Sequence, residues 1–130
     1  MEYTFDKEIT LDSLKKIKSM LELITKRAKV VKTPDDFLRS PSGMMRLDAI
    51  CMNLIALGET VKGLDNQTKG QLLKNYPDVY WRGAMGIRDK ISHHYFEMDT
   101  DVVFQTLEED IPTMKPVVRS EEHTSELQSP

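Results

Sequence analysis

The 130-residue chain has a single cysteine, Cys51, so it cannot form an internal disulfide. That residue sits among apolar neighbours and is expected in the core of a protein kept reduced in the cytoplasm. No cysteines and histidines are clustered at metal-ligand spacing, so neither a structural nor a catalytic metal site is expected. No apolar run approaches the roughly 20 residues that a membrane-spanning helix needs. No basic-then-apolar leader stands at the N-terminus. Positive charge is not in excess either: 18 basic residues face 21 acidic ones, for a net charge of −3. A global field that would attract nucleic acid is therefore missing, and any RNA site must be local. What remains, with 39% hydrophobic and 30% charged residues, reads as one soluble globular domain.

The C-terminal run Arg119 to Ser129, RSEEHTSELQS, resembles an in-frame translation of a common sequencing-library adapter. On that reading the domain covers residues 1–116, and 117–130 form a non-native, disordered tail that takes His123 out of every site argument. Without Arg119, Glu121, Glu122 and Glu126 the net charge is −1.

Helical periodicity accounts for most of the rest. Leu11, Leu14, Ile17, Leu21 and Ile24 recur at three- and four-residue steps, predicting a helix over Thr10–Ala28 with Thr10 as its N-cap. Lys15, Lys16, Lys18 and Lys26 fall off that stripe, as expected of a solvated face. A break at Lys32-Thr33-Pro34 and a short turn over Asp35–Leu38 follow. A second long helix, starting at Ser40 or Ser42 and ending at Lys62, has Met44, Leu47, Cys51, Leu54, Ile55, Gly58 and Val61 on its buried side. Ala49, Ile50, Met52 and Leu57 make it apolar around most of its circumference, so it should be covered on more than one side, by the bundle and by a partner subunit. Gly63 and Asp65-Asn66 are expected to end it. A short helix over Thr68–Asn75, stopped by Pro77, should follow. Another should run from Asp78 or Tyr80 to about His94, and a last one over Asp101–Asp110 should be closed by Pro112. No segment alternates with period two and no repeat is present, so the expected fold class is all-α, an antiparallel helical bundle.

The chemistry concentrates in Gly86-Ile87-Arg88-Asp89-Lys90-Ile91-Ser92-His93-His94-Tyr95-Phe96. Cleaving an RNA phosphodiester requires a group near neutral pKa to take the 2′-hydroxyl proton, another to protonate the departing 5′-oxygen, and a cation to stabilise the phosphorane. Histidine suits the first two roles and arginine the third. Arg88 and Tyr95, seven apart, share a helix face, whereas His93 lies roughly 140° around from Arg88. Either the helix ends near Ser92 and re-aims His93, or a second copy completes the site across a two-fold axis. A structural reading also exists. Adjacent histidines suit a helix C-terminus through the dipole alone, Arg88 could pair with Asp89 or Glu97, and Tyr95-Phe96 could be core.

The run from Arg88 to Tyr95 resembles the signature of the HepT-like toxins of the HEPN class: arginine, a polar residue, three more, histidine, any residue, tyrosine. Leu57-Gly58-Glu59-Thr60 followed by Lys62 is similar to that family's Gly-Glu-Ala segment, with Thr60 where alanine is more usual. Tyr76-Pro77 and Trp81 resemble the entry to its motif helix, and Phe96, Asp99, Val103-Phe104 and Asp110-Ile111-Pro112 its C-terminal segment. The resemblance implies an endoribonuclease that works without metal or other cofactor. Arg88 and His93 would form the catalytic pair, Asp89 the supporting polar position and Tyr95 the motif tyrosine. It further implies a nucleotidyltransferase antitoxin of the MNT type, which transfers AMP from ATP onto the tyrosine, while the apolar second helix and the spread of Arg88 and His93 lead to the expectation of a homodimer. His94, at the variable position, adds a second imidazole as a supporting candidate. Two alternatives stand beside this one: a non-catalytic HEPN module that binds RNA or a nucleotide, and a dimeric bundle with no site.

Overall fold

The computed structural model describes residues 6–93 and 100–128, which contain helices and turns and no strand. Helix α1 spans Lys7–Ala28, one turn earlier than the apolar stripe suggests. Asp6 is its N-cap, its carboxylate accepting from the amides of Glu8 and Ile9 at 2.9 and 3.2 Å. Thr10, expected as the cap, lies inside the helix, is buried, and donates its hydroxyl to the Asp6 carbonyl at 2.8 Å. Leu14, Ile17, Leu21 and Ile24 form the buried stripe as expected.

A 3-10 turn, Pro34–Phe37, seats the fully buried Phe37 before α2, Pro41–Gln67, begins. Ser40 caps α2, its Oγ accepting from the Gly43 amide at 3.0 Å. The helix does not stop at Lys62. Burial of Leu64 extends the apolar stripe one turn further and outweighs the low helix propensity of Gly63. Termination comes where Lys69 and Gly70 turn left-handed at φ 54° and 72°, a conformation glycine adopts at little cost, and the Gly70 amide reaches back to the Asp65 carbonyl at 2.8 Å. Instead of a helix over Thr68–Asn75, only a 3-10 turn, Leu73–Asn75, follows.

Two short helices come next, α3 over Trp81–Met85 and α4 over Ile87–His93, where one helix was expected; Gly86 interrupts the run. Helix α5, Thr100–Gln105, opens into a π-helical turn at Thr106–Asp110, and α6 runs Ile111–Gln128. Pro112 does not close the chain's last helix as expected. Having no N–H to return to the preceding turn, it is accommodated just after the wider turn, where the Ile111 amide bonds the Thr106 carbonyl. Helix α6 also continues past position 116, where sequence reading ended the domain and placed a tail without structure. Ile111, Met114 and Val118 recur at three- and four-residue steps and are all buried, which holds this stretch to the bundle.

Cross-links give the helix directions. Ser13 donates to Gln67 at 3.1 Å, and Arg27 bonds Asn53, so α1 and α2 are antiparallel. Lys18 pairs with Glu122 at 3.4 Å, while Ile24 and Lys29 share a groove with Ile111 and Lys115, so α1 and α6 are antiparallel too. The core lies between these three helices, with α3 and α4 closing it over α2. Among the described residues no helix is long and apolar enough to cross a membrane.

Two glycines of α2 have opposite roles. A Cβ at Gly58 would overlap the Ala84 carbonyl oxygen and approach the Ile87 Cγ2 at 3.2 Å, whereas one at Gly63 would meet nothing within 4 Å. Gly63→Ala should therefore stabilise the fold by about 0.5–1 kcal/mol through helix propensity, while Gly58→Ala should destabilise it by about 1–3 kcal/mol through overpacking. Thermal melts of the two variants should shift in opposite directions. Equal shifts would refute the close packing at Gly58.

Candidate functional site

The site is built from the short helices that Gly58 allows close to α2. Trp81 fixes α3: it is buried, and its indole N–H donates to the Tyr76 carbonyl at 3.1 Å. Ala84 presses on Gly58, the chain turns at Gly86, and Ile87 and Ile91 are buried as the inner face of α4. With those positions inward, Arg88, Asp89 and Lys90 lie on the solvent side. The arginine expected at the site is accordingly accessible, with its side chain 63% exposed.

Arg88 forms an ion pair across the helix junction: its Nη1 stands 3.5 Å from Oε1 of Glu59 on α2. It does not pair with Asp89, and Glu97, its other expected partner, lies outside the described residues. With Glu59 itself about half exposed, such a pair contributes at most about 1 kcal/mol to stability, so its interest lies in where it holds the guanidinium. Glu59 was part of the Gly-Glu segment noted in the sequence but was given no role there. The signal that could have found it is the glycine beside it, which marks where α2 approaches another backbone.

The other candidates are placed less fully. Asp89 is exposed, with its amide bonded to the Gly86 carbonyl at 3.2 Å. His93 is the last position of α4, five residues after Arg88 on an unbroken helical stretch, so the helix does not end at Ser92. His94 and Tyr95 lie outside the described residues.

Other titratable groups are set by burial. The Cys51 thiol, 4% exposed, is pushed up to about 11 by burial and then by the neighbouring Asp48 carboxylate, so it stays protonated at neutral pH and is no nucleophile. Burial and Glu109 raise the Asp110 carboxyl above its ordinary value, against the opposing pull of Lys90.

The structure thus has Arg88 exposed at a helix junction, five residues before His93 at the end of the same helix. A family model described as "Ribonuclease HepT-like" matches residues 10–121. The chain belongs to this family. The HepT-like match takes in all of α2, α3 and α4 and most of α1, and runs into α6 beyond position 116. The "Probable ribonuclease HepT" of Thermococcus cleftensis is 32% identical over 104 residues, which cover 80% of this chain and 87% of that protein. A protein of Methanocaldococcus jannaschii named as a putative RNase is 31% identical over 98 residues, 72% of this chain and 75% of the relative. Another so named, from Caldanaerobacter subterraneus subsp. tengcongensis, is 26% identical over 75% of this chain and 80% of its own. No solved structure matches the chain.

Proposed function

We propose that this HepT-like chain is a metal-independent endoribonuclease that acts as a homodimer and serves as the toxin of a toxin–antitoxin pair. The observation that carries this reading is the exposed Arg88 at the α2–α4 junction of a chain whose relatives are named as ribonucleases. In the proposed reaction, one imidazole takes the proton of the RNA 2′-hydroxyl as that oxygen attacks the adjacent phosphorus. A second imidazole protonates the departing 5′-oxygen, and Arg88 stabilises the charge that builds on the phosphorane. The products are a 2′,3′-cyclic phosphate and a 5′-hydroxyl. Asp89 and His94 support the pair formed by Arg88 and His93.

The dimer is supported by two features. Because α4 continues through His93, the positions of Arg88 and His93 differ by roughly 140° around one helix, which favours completion of the site by a second copy. Helix α2 also carries an uncovered apolar stripe: Met44, Met45 and Met52 are 52%, 72% and 66% exposed. Met45, Met52 and Glu59 follow one another at seven-residue steps, so the stripe leads along one face of α2 to the residue that pairs with Arg88. Two copies joined along this face would bring their arginines and histidines to one cleft.

The purified protein should cleave single-stranded RNA in the presence of EDTA, with the cyclic-phosphate ends detected by mass spectrometry. Arg88→Ala and His93→Ala should each lower the rate by about 10²–10⁴ with unchanged melting, and His94→Ala should lower it less. Activity that disappears with EDTA and returns with magnesium would rule the mechanism out, and an inactive His94→Ala beside an active His93→Ala would overturn the assignment of His93 as the catalytic imidazole.

Tyr95 is the proposed point of control. A cognate nucleotidyltransferase would transfer AMP from ATP to the Tyr95 hydroxyl, releasing pyrophosphate; with helical phase kept over the seven residues from Arg88, the new phosphodiester would pair with the guanidinium and fill the place of an RNA phosphate. Incubation with that enzyme and ATP should add AMP at Tyr95 and abolish cleavage. Inhibition that persists in Tyr95→Phe, or without ATP, would point instead to direct blocking by the partner.

A further inference from the structure

We propose that Glu59 is the positioning residue for Arg88, clamping one end of a long, exposed side chain so that the rest of its guanidinium is aimed at the RNA phosphate. The inference rests on the ribonuclease reading above and assigns a role to a residue outside the arginine–histidine motif.

Three observations carry it. First, Gly58 and Glu59 on α2 lie against Ile87 and Arg88 on α4 as neighbouring pairs: the Gly58 Cβ position is 3.2 Å from the Ile87 Cγ2, and Glu59 Oε1 is 3.5 Å from Arg88 Nη1. The glycine that admits the second backbone thus sets the carboxylate beside the arginine. Second, among the described residues Glu59 is the ion-pair partner of Arg88. The Arg88 side chain is 63% exposed, and Glu59 is the residue that restrains it across the junction. An ion pair of 3.5 Å at Nη1 alone leaves the other guanidinium donors for phosphate oxygens. Third, the arrangement carries an electrostatic penalty. A carboxylate, half exposed, beside the cation that must meet a polyanion repels the substrate. The pair is too exposed to hold the fold together, so the gain that offsets this repulsion is orientation at the reacting phosphate.

This predicts a particular split in the kinetics. Removing Glu59 should lower kcat, because Arg88 loses its aim. It should leave KM unchanged or lower, because a negative charge beside the RNA is gone. Glu59→Ala should reduce kcat about tenfold with no rise in KM and no change in melting temperature, measured with a single-stranded RNA oligonucleotide and the full chain. Glu59→Gln, whose amide oxygen still accepts from a guanidinium, should recover most of the loss. In an Arg88→Ala background, read by single-turnover kinetics, Glu59→Ala should have no further effect. A kcat that stays the same or rises in Glu59→Ala would make the carboxylate a mere repulsive charge and overturn the proposal. An equal loss in the Arg88→Ala background would overturn it too, by showing that Glu59 acts independently of Arg88. Full activity of Arg88→Ala alone would instead bring down the catalytic role of Arg88 in the ribonuclease reading, leaving nothing for Glu59 to position.

Discussion

The close approach of α2 to the α3–α4 junction, possible because Gly58 has no side chain, is the constraint on which the rest of the site depends. The Ala84 carbonyl occupies the space a Cβ would need, so the two backbones meet where most residues would hold them apart. From that contact the order of events along the short helices follows. Ile87 and Ile91 turn inward onto α2, the chain breaks at Gly86 to allow it, and Arg88 is left on the outside beside Glu59. An arginine in this place owes little to the stability of its own ion pair and much to the packing one residue away.

Helix α2 has two apolar surfaces with different fates. Leu47, Ile50, Leu54, Leu57, Val61 and Leu64 are buried against the neighbouring helices. Met45 and Met52 are on the opposite side and remain exposed, as does Met44 at the start of the helix. Methionine is flexible and polarisable, suited to a surface that must fit a second one. In the proposed dimer this stripe would supply the buried area, and its end at Glu59 would bring the joint between subunits up to Arg88, the proposed catalytic arginine. Fold and function then meet on a single helix, whose inner face builds the bundle and whose outer face would build the site.

Much of this was legible in the sequence where local pattern and burial agree. The α1 stripe, the Ser40 cap, the turn around Phe37, the buried Cys51 and the exposed Arg88 all follow from periodicity and residue type. The departures share a cause: tertiary contacts outweighed a local signal. Gly63 looks like a stop until Leu64 is seen to be buried, and Pro112 looks like one until the π-helical turn before it is taken into account. Thr10 and Asp6 both have N-cap side chains, and only the backbone conformation decides between them. Met44 belongs to the expected buried face by spacing but is exposed in fact, in the first turn of α2. At the site, Arg88 was readable from its motif, but the Glu59 pairing joins residues far apart in the chain and exists only because of the packing at Gly58.

The central claim is that one chain's Arg88 works with another chain's His93. It is tested most directly by mixing two inactive proteins, Arg88→Ala and His93→Ala, under conditions in which subunits exchange. A mixed dimer has no chain with both residues, yet it still holds Arg88 and His93 on opposite subunits, with His94 to serve as the second imidazole. The account predicts that the mixture regains RNA cleavage that neither variant shows alone. A mixture that forms mixed dimers and stays inactive would contradict it, and would place the catalytic pair within a single chain.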